Sequence, residues 1–127
     1  MQEDKLYEYA VIRLVPQVER EEFFNIGLIV ASIKSKYIRV EFYLCPDKFE
    51  LMKNNLDFEE VNQNLENFRN IALGHKKAGP IALLEPAERF RWLTAVRSSI
   101  IQTSPVHPGK TTDMDATFER LFEELVK

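Results

Sequence analysis

One cysteine, two histidines and four glycines are all that the 127 residues contain of those types, and each scarcity excludes something. A lone Cys45 cannot close an intrachain disulfide, which fits a reducing compartment. His75 and His107 stand apart, and with a single thiol there is no recognisable metal-ligand spacing. No metal site and no cofactor are therefore expected. No apolar run approaches about 18 residues, so a membrane span is not expected either. The opening segment, MQEDKLYEYA, carries acids where an export signal needs a basic and then an apolar stretch. The expected location is the cytoplasm. Internal repeats and low-complexity tracts are also missing.

What is present is an ordinary globular composition, 45% apolar and 29% charged, at a length typical of one domain. Residues 1–127 are read as a single domain. Nine Phe, four Tyr and one Trp supply its core, each ring burying on the order of 150–250 Å². The net charge of −3 argues against a general nucleic-acid binder. Its distribution is uneven, with residues 69–97 carrying +4 between acidic flanks. Such a block is either a solvated basic face or a surface for an acidic partner or anionic ligand.

The periodicity places strands first. Residues 6–15 are rich in β-formers and stop at Pro16, which cannot donate to a ladder. Residues 23–33 form an apolar run suited to a strand buried on both faces, and residues 37–44 alternate as a half-exposed strand. Short links between them favour antiparallel pairing. After Pro46 the period becomes helical. A short helix over 46–53 is followed by a longer one opened by Asp57 and ended by Gly74. Pro86 starts a third helix through Val96, and residues 98–103 are a candidate fourth strand. The stretch 104–113 reads as loop. Thr112 or Asp113 can cap a last helix with Met114, Phe118, Leu121, Phe122 and Leu125 on one face. The expected fold is α+β: an antiparallel sheet of three to four strands, the first three consecutive, against three to four helices.

The loop Ser104-Pro105-Val106-His107-Pro108-Gly109-Lys110-Thr111 differs from a phosphate-binding P-loop only at its first position. Such a loop works by aiming backbone N–H groups at phosphate, and Pro105 and Pro108 each delete one. The 16 residues after Thr111 also leave little room for the further parallel strands of that fold. A weaker anion site survives, built from Lys110, Thr111 and the helix start at Asp113, with Arg97, Ser98 and Ser99 delivered from the preceding segment. Arginine grips phosphate or carboxylate bidentately, and hydroxyls add donors. The competing reading is that these Ser and Thr side chains cap the helix and satisfy turn backbone.

Arg13 sits on the same side of the first strand as Tyr9, Val11 and Val15, where a charge needs a partner such as Glu22 or Asp113. Asn25 and Gly27 interrupt the second strand, and a strand glycine marks a bulge or a close approach. Arg13, Asn25 and Gly27 are therefore expected to line one patch, as a structural ion pair beside a bulge or as a ligand site. Cys45 reads as a structural thiol. Ser98, Ser99, His107 and Asp113 include the residue types of a hydrolytic triad without the pattern that places them.

Two blocks, YAVIRLVPQVEREEFFNIGLIV near the start and RFRWLTAVRSSIIQTSP with GKTTD near the end, resemble the bacterial domain-of-unknown-function family 3037 over roughly residues 7–125. The shared features are an Arg-bearing strand ending near a Pro and an element of the type Glu-Phe-x-Asn-x-Gly, here Glu22-Phe23-Phe24-Asn25-Ile26-Gly27. Arg97, Ser98, Ser99, Gly109, Thr111 and Asp113 belong to the same resemblance. It implies a partner rather than independent catalysis, since members are thought to lie beside genes for HipA-like serine/threonine kinases of toxin–antitoxin type. The expectation is thus a non-catalytic accessory or binding protein docking on another protein, with a HipA-like kinase as candidate, or self-associating. The alternative is an enzyme or sensor that takes a phosphorylated small molecule or nucleic acid through Arg13, Arg97 and the Lys110–Asp113 turn. Nucleic acid is the less favoured partner. The candidate residues are Arg13, Asn25, Gly27, Arg97, Ser98, Ser99, Lys110, Thr111 and Asp113, and no catalytic residue is assigned.

Overall fold

The computed structural model describes residues 4–16, 23–44, 46–51, 56–95 and 99–127, without the side chains at 48 and 51. Along the chain run β1 (Lys5–Leu14), β2 (Phe24–Ser32), β3 (Tyr37–Phe42), α1 (Pro46–Leu51), α2 (Phe58–Ala72), two 3₁₀ turns (Lys76–Ala78 and Pro80–Leu83), α3 (Pro86–Thr94), β4 (Ile101–Thr103), β5 (His107–Thr111) and α4 (Met114–Leu125). The fold is α+β. Five strands form one antiparallel sheet in the order β3-β2-β1-β4, with β5 also paired to β1.

The strand count is five rather than three or four, because the stretch 107–111 is a strand and not a loop. β5 pairs with β1 from Lys5↔Thr111 to Tyr9↔His107. Its ladder leaves Gly109 directly beneath the Tyr7 ring, where a Cβ would stand only 2.4 Å from ring atoms. Glycine there lets the buried Tyr7 lie flat on the backbone. β4 and β5 follow one another along the same side of β1, and Ser104 bridges the break. Its N–H donates to Val11 O at 2.8 Å, and its Oγ accepts from Val11 N–H at 2.9 Å. A segment engaged in this way is a sheet edge, not a phosphate loop.

Alternation along the strands divides the side chains into two cores. Ala10, Ile12 and Leu14 of β1, with Ile29 and Ala31 of β2 and Val40 of β3, pack beneath α1, α2 and α3. Tyr7, Leu28 and Val30 pack beneath α4, against Met114, Phe118, Leu121 and Phe122. The sheet is therefore covered on both faces, and among the described elements α4 alone covers one of them. Full burial of each such apolar side chain contributes roughly 1.5–3 kcal/mol. The long helices begin where short acidic side chains cap them: Asp57 accepts from Glu59 N–H at 3.3 Å, and Asp113 from Ala116 N–H at 3.1 Å. Among the described residues no helix is long and apolar enough to cross a membrane.

Candidate functional site

On the α4 face, β1 and β2 bring Arg13 directly opposite Asn25, at the end of the sheet where α4 stops. The guanidinium carbon of Arg13 lies 4.0 Å from the centroid of the Phe23 ring, and that ring is 48% exposed. No acid among the described residues pairs with Arg13, and its buried Nε has no hydrogen-bond partner there. Asn25 donates through Nδ2 to Leu125 O at 3.1 Å, tying β2 to the last turn of α4. Its buried Oδ1 is unpartnered among the described residues. A donor and an acceptor are thus left unsatisfied on adjacent strands. Each costs about 1–3 kcal/mol unless something supplies the missing bond. Such costs are tolerated mainly where a function requires them. Gln102 of β4 stands opposite Arg13 on its other side. Around the end of α4, Lys127 reaches over the rings of Tyr43 and Phe122 at 5.7 and 5.6 Å. The corner therefore combines cations, exposed rings and unspent amide capacity.

Gly27 does not belong to it. The register of β1 and β2 shifts between Ile12 and Arg13, so that Gly27 opposes Ile12 while Asn25 opposes Arg13. In a regular strand residues two apart share a face, and the bulge breaks that rule. Gly27 faces the α2–α3 core, where a Cβ would meet Phe42 Cδ1 at 2.7 Å and Glu41 O at 2.9 Å. The glycine admits a neighbouring ring rather than a ligand.

Lys110, Thr111 and Asp113 are not near Arg13 either. Thr111 is paired with Lys5, eight residues before Arg13 on the same strand. At about 3.3 Å per residue, some 26 Å of β1 separates them. The turn is also chemically occupied. Thr111 Oγ1 accepts from Asp113 N–H and from Thr117 Oγ1–H, at 3.1 and 2.6 Å, and Asp113 caps α4. Its hydroxyls and first amides serve the helix start. Ser99 lies toward the Arg13 end, since Val15 N–H donates to Ile100 O at 2.7 Å, but its hydroxyl donates to Ile101 O at 2.6 Å. Arg97, Ser98, Cys45 and the proposed Arg13 partner Glu22 lie outside the described residues. Asp113, the other proposed partner, is at the far end of the strand.

A second arginine on the α4 face drew no attention in the sequence. Arg39 of β3 lies over the Phe118 ring at 4.3 Å and reaches Glu119 at 2.7 Å and Asp115 at 3.2 Å. Tyr37 donates its hydroxyl to the same Asp115 at 2.8 Å. Burial, and then the Asp115 carboxylate, push the Tyr37 hydroxyl up to about 12. Burial alone would lower the Arg39 value, yet Glu119 and Tyr37 raise it above that of a free arginine. Only the spacing of Asp115 and Glu119, four apart on one helix face, signals this network in the sequence. Among the described residues no three His, Cys, Asp or Glu side chains converge in a metal-binding group.

No curated protein and no solved structure matches this chain. One family does, described as "Protein of unknown function (DUF3037)", and the match covers residues 9–126. It takes in both unsatisfied side chains of the corner, the Phe23 plate and the whole of the sheet beyond Glu8. The chain belongs to the DUF3037 family.

Proposed function

We propose that this protein is a cytoplasmic, non-catalytic accessory protein that docks on a partner protein through the corner formed by Arg13, Phe23 and Asn25. The observation that carries the reading is Arg13: a half-buried guanidinium, laid on an exposed ring, with no acid beside it among the described residues. Arginine and aromatic side chains dominate the energetics of protein interfaces because they bury much area at small cost in order. A partner carboxylate would satisfy the guanidinium bidentately, and Phe23 would be covered in the same event. The tie from Asn25 to Leu125 O holds the α4 terminus in place beside it. The family resemblance makes a HipA-like kinase the partner to try first.

Co-expression with that kinase followed by size-exclusion chromatography with light scattering tests the proposal. Co-elution by the natural chain and its loss in Arg13→Ala supports docking here. Separate elution of the two natural proteins at micromolar concentration contradicts it. A mass of two chains without kinase would instead assign self-association. The phosphate-binding alternative has less to draw on, because the Lys110–Asp113 turn and Arg13 stand at opposite ends of β1.

A further inference from the structure

At the end of the sheet away from Arg13, a cleft of about 340 Å³ opens between the β2–β3 turn, the end of α2 and the start of α3. Its apolar walls include Ile33 of the turn, Ile38 of β3, Leu73 just after α2 and Pro86 of α3. Ile33 and Leu73 are 40% and 46% exposed, so apolar surface here is left open to water. Two cations share the lining, Lys36 from the turn and Arg89 from α3. Arg89 is where the basic block 69–97 reaches this cleft. Its guanidinium is fixed by the fold: Nε donates to Ala72 O at 3.4 Å and Nη1 to Leu84 O at 2.7 Å. Gly74, at φ +75°, lets it lie close, since a Cβ there would stand 3.2 Å from Arg89 Cζ. Nη2 makes no bond among the described residues. Lys36 stands at φ +54°, the one non-glycine residue with positive φ among the described residues. Glycine or asparagine adopts that conformation more cheaply, and backbone strain of this kind clusters at ligand clamps. The Lys36 ammonium has no partner among the described residues.

We infer that this cleft binds a straight-chain carboxylate, an aliphatic tail ending in one anionic head group. Three observations point there. The walls are mainly aliphatic, which suits a flexible chain, and covering Ile33 and Leu73 removes apolar area from water. Two cations stand in the same lining, and each keeps donors that the described fold does not use. A carboxylate offers one oxygen to Nη2 of Arg89 and the other to the Lys36 ammonium, and both bonds are charge-assisted. The third is the positive φ of Lys36, which places a cation where a smaller residue would fit the turn with less strain. A pocket mostly apolar with a few convergent polar groups is the usual form of a small-molecule site. The cleft adjoins the Ser32↔Tyr37 end of β2, whereas Asn25 and Arg13 lie at the other. This inference is independent of partner docking, and its test needs no partner.

The full-length, isotope-labelled protein is titrated with octanoate and followed through its backbone amide signals by NMR. Saturable shifts confined to the amides around Ile33, Lys36 and Leu73, with submillimolar half-saturation, are expected. Hexanoate should bind more weakly, by about fourfold for each buried methylene that it lacks. Acetate, which has the head without the tail, and octylamine, which has the tail with the opposite charge, should leave those signals in place. Lys36→Gly should weaken octanoate by about tenfold while melting within a few degrees of the natural chain, because glycine accepts the positive φ. Should it not fold, Ile33→Glu is used, an exposed position where an acid in the lining should abolish binding. The absence of localised shifts with octanoate up to millimolar concentration overturns the inference. So does octylamine binding as tightly as octanoate, or octanoate binding that a folded variant leaves undiminished.

Discussion

Two arginines lie on aromatic rings on the α4 face of the sheet, and they are used in opposite ways. Arg39 sits 4.3 Å above Phe118, a fully buried ring, and its guanidinium is shared between Asp115 and Glu119. Arg13 sits 4.0 Å above Phe23, a half-exposed ring, and no described acid meets it. The ring geometry is nearly the same. What differs is whether the fold itself satisfies the donors. Arg39 is spent on holding α4 to β3, whereas no described residue takes up the Nε donor of Arg13. A cation over a ring thus says little until its remaining hydrogen bonds are counted.

Replacing the two ring platforms should separate the corners most sharply. Phe118→Ala removes a fully buried ring and should cost about 3–5 kcal/mol in urea unfolding. Phe23→Ala should change stability by no more than about 0.5 kcal/mol, as at an ordinary surface position, while weakening partner capture. Equal losses at both positions would erase the comparison. A smaller contrast is expected for the arginines themselves. Arg39→Ala breaks several partly exposed ion pairs, each worth about 0.2–1 kcal/mol, for a total near 1–2 kcal/mol. Arg13→Ala should stay under about 1 kcal/mol, because a buried Nε without a partner is removed with it. A loss of about 3–5 kcal/mol would instead identify Arg13 as half of a buried ion pair.

The smallest effect is one of pH. The Tyr37 hydroxyl is raised to about 12 in the folded protein from 10 unfolded. A group raised in this way contributes stability that is complete below pH 10 and is lost as pH climbs through about 12. The Arg39 corner should therefore loosen in alkali between those values. Tyr37→Phe should flatten that part of the profile, measured as melting temperature against pH. An unchanged alkaline slope would mean that the Asp115 bond to Tyr37 does not form in solution.

Much of this arrangement is legible in the sequence. Pro16, Pro46 and Pro86 marked boundaries, Asp57 and Asp113 cap the helices expected of them, and the Met114–Leu125 stripe is the buried face of α4. β5 was hidden because His-Pro-Gly-Lys-Thr carries turn residues, and its pairing depends on Tyr7, a hundred residues away, needing the bare backbone of Gly109. That omission displaced three of the nine candidate residues, Lys110, Thr111 and Asp113. Without β5 nothing fixed the direction in which Lys110 and Thr111 run along β1, so a meeting with Arg13 looked open to them. Gly27 was misplaced for a local reason, since a bulge at Ile26 reverses the alternation and leaves no mark in the pattern of residue types. Arg13 beside Asn25 followed from the antiparallel pairing of the first two strands. That their buried atoms lack partners among the described residues is a matter of ångströms, and no sequence pattern encodes it.

The account turns on Arg13, which lies on the Phe23 ring and meets no acid among the described residues. The direct measurement is co-elution of the chain with a HipA-like kinase, compared among the natural protein, Arg39→Ala and Arg13→Ala, alongside their melting temperatures. The natural protein and Arg39→Ala should capture the kinase. Arg13→Ala should elute alone and melt within a few degrees of the natural chain. Capture by Arg13→Ala at full strength would contradict the account.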